Sequence, residues 1–236
     1  MKSAQAFLKK RIVKSNEPAP NMWQAFSRGQ DLLENACTFY KSKGDRNTVK
    51  VLAINGSARK NGNTDLLIGR IFEKLHATGI QTEAMQFAGN TIQPCRACFA
   101  CGGKENCVHQ QDDFQSVFEK MKAADGILLG SPVYSANISA NMQAFLERAA
   151  VVCDMNPGLL KHKVGACFVT ARRGGALNAV DAMNHFFLNH EIFISGSTYW
   201  NMVYGQMPGD VLNDEEGLAT MDSLAENMLW LLEKIK

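Results

Sequence analysis

The sequence predicts an α/β protein built on an open, doubly wound parallel sheet, and three observations predict it. From Val49 onward, short apolar runs alternate with amphipathic stretches of helical period, the pattern of repeated strand–helix–strand units. Three of those runs are nearly continuous in Val, Ile, Leu and Ala, as strands covered on both faces must be. Segments rich in Gly, Pro, Ser and Asn follow the strands, at the edge where open parallel sheets hold their ligands.

The first strand is expected over residues 50–54, and the helix after it carries Leu67, Ile71 and Leu75 at four-residue spacing. A second strand over 82–87 leads to a helix whose apolar face is Phe114, Val117, Phe118 and Met121. The third, over 126–131, leads to one that begins with Met142, Phe145 and Leu146. Strands over 163–170 and 192–197 follow, and the last helix has one stripe of Met221, Leu224, Met228, Leu231 and Ile235. These stripes are core positions.

Residues 1–47 read differently. A polar start and the pair Pro18 and Pro20 precede a stretch with Trp23, Phe26, Leu32, Leu33, Phe39 and Tyr40 at roughly helical spacing. We expect an N-terminal helical extension over 1–47 and one α/β domain over 48–236.

Composition narrows the function. The 236 residues, 46% hydrophobic, can bury one substantial core. Twenty-five basic against 23 acidic residues give a net charge of +2, too balanced for the positive field that nucleic acid or an anionic membrane surface requires. The longest apolar runs, such as 126–129 and 229–232, fall far short of the ~20 residues that span a bilayer. The basic start, with Lys2, Lys9, Lys10 and Arg11, has no apolar segment of a secretory leader behind it, so a cytoplasmic location is expected. Seven cysteines is an odd number, and four lie between Cys95 and Cys107, which favours metal or redox chemistry in a reducing compartment over a disulfide framework. Cys37, Cys153 and Cys167 stand among apolar neighbours and read as small buried hydrophobes.

Three loops carry chemistry. The first runs from Gly56 to Thr64 between a strand and a helix, with glycines for tight backbone geometry, hydroxyls at Ser57 and Thr64, and a helix start that favours an anion. It suits a phosphate monoester, and its spacing matches neither the Walker A loop nor the dinucleotide G-x-G-x-x-G. A plain turn capped by Asn63 or Thr64 is the structural alternative. The second, Ser131 to Asn137, is stiffened by Pro132 and offers the flat ring of Tyr134, suited to an aromatic ring system, or else is a turn capped by Asn137. The third, Thr170 to Ala176, sets Arg172 and Arg173 beside Gly174 and Gly175, and arginine there can meet a phosphate or a polar ring edge. None of the five histidines forms a recognisable catalytic pair, although His109 lies just past the cysteine cluster.

Read as G-S-x-R-x-x-G-N-T at 56–64 and G-S-P-V-Y at 130–134, these loops resemble the NADPH-dependent FMN reductase superfamily. The resemblance covers about residues 49–200 and does not reach the first 47. It implies a flavodoxin-like fold with five parallel strands in the order 2-1-3-4-5. It also implies that Ser57, Arg59, Asn63 and Thr64 hold the FMN phosphate. Pro132, Val133, Tyr134 and Asn137 would line the isoalloxazine, with Ala171, Gly174 and Gly175 at its other polar edge. The flavin itself would carry the chemistry, with no side-chain nucleophile or general acid. Electrons would pass from NAD(P)H or a protein donor through FMN to a quinone, flavin, metal or iron–sulfur acceptor, in a homodimer or homotetramer.

Cys95-x2-Cys98-x2-Cys101-x5-Cys107 lets four thiolates from one short loop converge on a single centre. Such a set suits a cluster or zinc. The spacing matches the motif of the iron-sulfur flavoproteins, which implies a 4Fe-4S cluster. Two other readings stay open: a flavodoxin-like electron carrier with no substrate of its own, and a zinc-stabilised interaction module without turnover.

Overall fold

A computed structural model describes residues 48–235, so the extension expected over 1–47 lies outside the described residues. Strand β1 (Lys50–Asn55) is followed by helix α1 (Asn63–His76), β2 (Gln81–Gln86), α2 (Phe114–Ala123), β3 (Gly126–Pro132) and α3 (Ala140–Asp154). Then come β4 (Val164–Ala171), α4 (Ala176–Asn189), the short strands β5 (Phe193–Ile194) and β6 (Met202–Tyr204), and α5 (Glu215–Lys234). The sheet is parallel throughout, in the order β2-β1-β3-β4-β5 that the sequence led us to expect.

The apolar runs explain the layering. β3 and β4 are buried along their whole length, and β1 is exposed only at its first residue, because helices cover both faces. α1 and α5 pack on one face through Leu67, Ile71, Leu75, Met221, Leu224 and Met228. α2, α3 and α4 cover the other through Phe114, Phe118, Phe145, Val152, Met183 and Phe187. Edge strand β2 is largely exposed, and its polar sequence QTEAMQ fits that position. Cys153 and Cys167 are buried as expected, and burial pushes both thiols up to about 12. No helix among the described residues is long and apolar enough to cross a membrane.

The fifth strand differs from its expected extent. Instead of one strand over 192–197, β5 pairs with the first two residues of β4 and β6 with its last three. Ser195 donates its N–H to the Gly165 carbonyl (2.8 Å) and Val169 donates to that of Asn201 (2.9 Å), so the ladder resumes after a short detour. Gly196 ends the apolar run, and the detour carries Tyr199 and Trp200 outward with their rings edge to face at 4.6 Å. The return strand, Met202–Tyr204, is three residues long, below the length at which periodicity can be read.

Candidate functional site

Parallel strands put all their following loops at one edge of the sheet, and hydrogen bonds tie the loops there to one another. Gly56 donates its N–H to the Gly130 carbonyl (2.8 Å), joining the first loop to the end of β3. The Asn55 side chain accepts from the Ser57 N–H (3.0 Å), and the buried Ser57 hydroxyl accepts from the Arg59 N–H (3.1 Å), so the loop folds back over its own polar groups. Gln86, at the end of β2, donates to the carbonyls of Ser57 (3.1 Å) and Arg59 (2.8 Å).

Gly62, not Asn63 or Thr64, occupies the cap position of α1. With no side-chain cap, the N–H groups of Asn63 and Thr64 keep their donor capacity at the positive end of the dipole, while those of Asp65 and Leu66 donate to the Gly62 carbonyl (3.0 and 3.1 Å). The Asn63 amide donates to the Met207 carbonyl (2.9 Å) and accepts from the Gly209 N–H (2.8 Å). The Thr64 and Thr170 hydroxyls lie 3.2 Å apart in a buried pair. Arg59 is exposed and directs one guanidinium nitrogen to the Gln206 carbonyl (3.1 Å). The donors that this loop retains for an anion are therefore the helix N–H groups and the rest of the Arg59 guanidinium.

The second loop is a two-residue hairpin. Tyr134 and Asn137 exchange both backbone hydrogen bonds, at 2.9 and 3.0 Å, across Ser135 and Ala136, whose φ values are +50° and +60°. Both central residues at positive φ define a type I′ turn, which favours Asn and Gly, so Ser and Ala there carry backbone strain. Pro132 is buried, Val133 donates its N–H to the Thr170 carbonyl (2.8 Å), and Tyr134 is 45% exposed, its ring open to solvent beside the turn. Ser139, rather than Asn137, caps α3 by accepting from the Met142 N–H (3.3 Å).

In the third loop Ala171 is buried, while Arg172, Arg173 and Gly174 are exposed. Gly175, at φ +88°, abuts the hairpin tip: a Cβ there would stand 2.8 Å from the Ala136 Cα. A fourth loop, residues 205–209, escaped the sequence reading. It follows β6 at the same sheet edge, is joined to β4 by the Gly205 N–H donated to the Ala171 carbonyl (2.9 Å), and is held over the start of α1 by Arg59 and Asn63. The punctuation Gly205, Pro208, Gly209 after a three-residue apolar run was its only signal.

The structure places all four clustered cysteines, Cys95, Cys98, Cys101 and Cys107, on the wall of one cavity of about 30 Å³. As a donor set they fit a thiolate-ligated centre: four soft sulfurs from one loop, with Cys101 buried, Cys95 and Cys107 half-buried and Cys98 exposed. The side chains are not gathered, for no three Cys, His, Asp or Glu groups among the described residues stand close enough to hold a metal ion. His109 Nε2 lies 3.6 Å from Cys98 Sγ. Arg148 on α3 donates from Nε to Cys107 Sγ (3.1 Å) and pairs with Asp112 (2.6 Å), both side chains 3% exposed. Sequence reasoning missed both, since an Arg in mid-helix and an Asp near a helix start have ordinary surface readings.

Residues 49–206 match the model of the NADPH-dependent FMN reductase family. An iron-sulfur flavoprotein of Methanocaldococcus jannaschii is 33% identical over 196 residues, covering 80% of this chain and all of that one. An iron-sulfur flavoprotein of Methanosarcina thermophila is 30% identical over 191 residues, covering 80% of this chain and 97% of that one. Among solved structures, a flavodoxin described as WrbA-like from Agrobacterium tumefaciens superposes with a TM-score of 0.54 at 14% identity, covering 80% of this chain and 99% of that one.

Proposed function

This chain belongs to the NADPH-dependent FMN reductase family, on its iron-sulfur flavoprotein branch, and we propose that it is an FMN-dependent oxidoreductase drawing electrons from NAD(P)H or a protein donor. The observation that carries the reading is the uncapped start of α1 with Arg59 beside it, tied to the fourth loop and to Thr170 of the third, which itself abuts the hairpin at the same sheet edge. Bound there, FMN would supply hydride and single-electron chemistry at its ring.

The residues divide the remaining work. The N–H groups of α1 and the Arg59 guanidinium hold the phosphate dianion, where helix dipole and full charge act together. Ser57 and Gln86 fix the loop, while Asn63 and Thr64 join its helix to the fourth loop and to β4. Pro132, Val133, Tyr134 and Asn137 line the ring on one side, and Ala171, Gly174 and Gly175 meet its other polar edge. Cys95, Cys98, Cys101 and Cys107 hold a 4Fe-4S cluster, which would supply one-electron transfer.

Titrating purified protein with FMN and riboflavin tests the binding site: much tighter FMN binding is expected, and equal affinities overturn it. Stopped-flow mixing with NADPH and with NADH tests the donor, expected to bleach the flavin band; no bleaching at millimolar donor refutes NAD(P)H. Iron and acid-labile sulfide after anaerobic purification test the cluster, and less than about one iron per chain refutes it.

A further inference from the structure

The cysteine loop is ordered by a side chain that does not belong to it. Arg148 lies on the third turn of α3, buried to 3% exposure, and its whole guanidinium is spent on the segment between β2 and α2. Nε donates to Cys107 Sγ (3.1 Å); Nη1 donates to Asp112 Oδ2 (2.6 Å) and, more weakly, to the Gln93 carbonyl (3.4 Å); Nη2 donates to the His109 carbonyl. The guanidinium carbon sits 4.3 Å from the centre of the Phe114 ring. Asp112 extends the arrangement by accepting from the Gln93 N–H (2.7 Å), and the neighbouring Glu147 accepts from the Cys95 N–H (3.2 Å). One helix therefore grips the loop before its first cysteine, at its first and at its last.

Taking an arginine and an aspartate out of water is expensive, and in some proteins such a pair is kept because it fixes one arrangement of the chain. Ala97, Phe99, Gly103 and Glu105 of the cysteine loop all have positive φ, residues 96–100 and 102–105 are exposed, and its middle is tied from outside by Asn156, which donates to the Cys101 carbonyl (3.0 Å) and accepts from the Glu105 N–H (3.2 Å). Such a backbone does not hold four thiols in register by itself. α3 also begins at Ser139, against Gly56 of the first loop. Nine residues at 1.5 Å each place Arg148 about 13 Å along the helix from that end.

We propose that Arg148 is the positioning residue of the four-cysteine loop, fixing it on α3 in the form that presents its thiols and donating an N–H to the sulfur of Cys107. The inference deepens the proposed role of the cysteines and rests on it. An N–H directed at a ligating sulfur withdraws charge from it and raises the potential of the centre it binds.

The test uses full-length protein in three forms, wild type, Arg148→Lys and the double variant Arg148→Met/Asp112→Asn, which removes the pair together and strands no buried carboxylate. FMN affinity serves as the control for folding. In the double variant, amide exchange over residues 93–109 is expected to accelerate at least tenfold, iron per chain after anaerobic reconstitution to fall at least twofold, and the remaining centre to titrate at a more negative potential. Arg148→Lys keeps the charge but not the fork, so it is expected to recover iron content and not the potential. If wild type takes up no iron, the cluster assignment fails and exchange alone decides the role of Arg148. Unchanged exchange over 93–109 overturns the proposal in either case, as does a double variant that holds iron at the wild-type potential.

Discussion

Gly174 and Gly175 are adjacent and indistinguishable in sequence, yet the structure separates them sharply. A Cβ on Gly174 would meet nothing within 4 Å, whereas one on Gly175 would stand 2.8 Å from the Ala136 Cα and 2.9 Å from its Cβ, on a backbone at φ +88°. For Gly175→Ala, the left-handed backbone costs about 1–2 kcal/mol. The forced contact adds about 1–3 kcal/mol, for a total of about 2–5 kcal/mol. Ala136 lies on an exposed hairpin and can relieve the contact by moving outward, which lowers the stability cost but opens the proposed flavin site between the second and third loops. Urea unfolding and FMN titration of both variants separate the outcomes. Gly174→Ala is expected within about 0.5 kcal/mol of wild type by both measures. Gly175→Ala is expected to lose stability, flavin affinity or both. If it matches wild type in both, the contact between Gly175 and Ala136 does not hold the loops as described.

Other consequences follow from single side chains. Arg59→Ala is expected to weaken FMN by about 1.5–3 kcal/mol, roughly 10- to 150-fold, and to leave riboflavin unchanged; equal losses for both ligands would place Arg59 away from the phosphate. Thr64→Val leaves the buried Thr170 hydroxyl without its partner at 3.2 Å and should cost about 1–3 kcal/mol of unfolding free energy, read by urea unfolding without ligand. His190 is buried with Nε2 unpartnered, and burial holds its pKa below the ordinary 6.5 against the opposing pull of Asp154. Its neutral form is the one the fold accepts, so its contribution is complete above pH 6.5 and is lost as the pH falls from there through the folded pKa. Thermal unfolding from pH 8 to 5 should show a shallower acid-side decline in His190→Leu than in wild type, and parallel profiles would refute this.

How much of this was legible in the sequence depended on whether a residue's neighbours in the chain are also its neighbours in space. β1, β3 and β4 announced themselves because strands buried on both faces must be apolar throughout, and Met221, Leu224 and Met228 of the α5 stripe are buried as expected, whereas Leu231 is half-buried and Ile235, just past the helix end, is exposed. The split fifth strand did not, because what makes β5 and β6 one position in the sheet is the length of β4, a property of the partner. The same holds in the site. The backbone of the first loop could be anticipated from Gly56, Gly62 and the helix behind them. The hydrogen bonds of Asn63 to Met207 and Gly209 join positions about 145 residues apart, and no spacing rule reaches them. Arg148 is a second case, since its partners, 36 to 55 residues earlier, lie in a different strand–helix unit.

These long-range ties bear on affinity as well as on legibility. A loop that orders only when ligand arrives subtracts that ordering from the binding free energy, and roughly 0.5–1.5 kcal/mol is lost for each side chain that must be immobilised. Here the first loop is braced by Gln86 from β2, the hairpin by Gly175 from the third loop, and the start of α1 by the fourth loop through Asn63. Each brace comes from a different segment, so each loop is held by the fold and not by its own turn sequence alone. That is also why Ser135 and Ala136 can keep positive φ without glycine: Tyr134 and Asn137 close the turn by two hydrogen bonds, and Gly175 backs its tip. The strain is borne by neighbours that are in place before any ligand binds, so the α1 start, the proposed seat of the phosphate, rests on a backbone already fixed by the fourth loop.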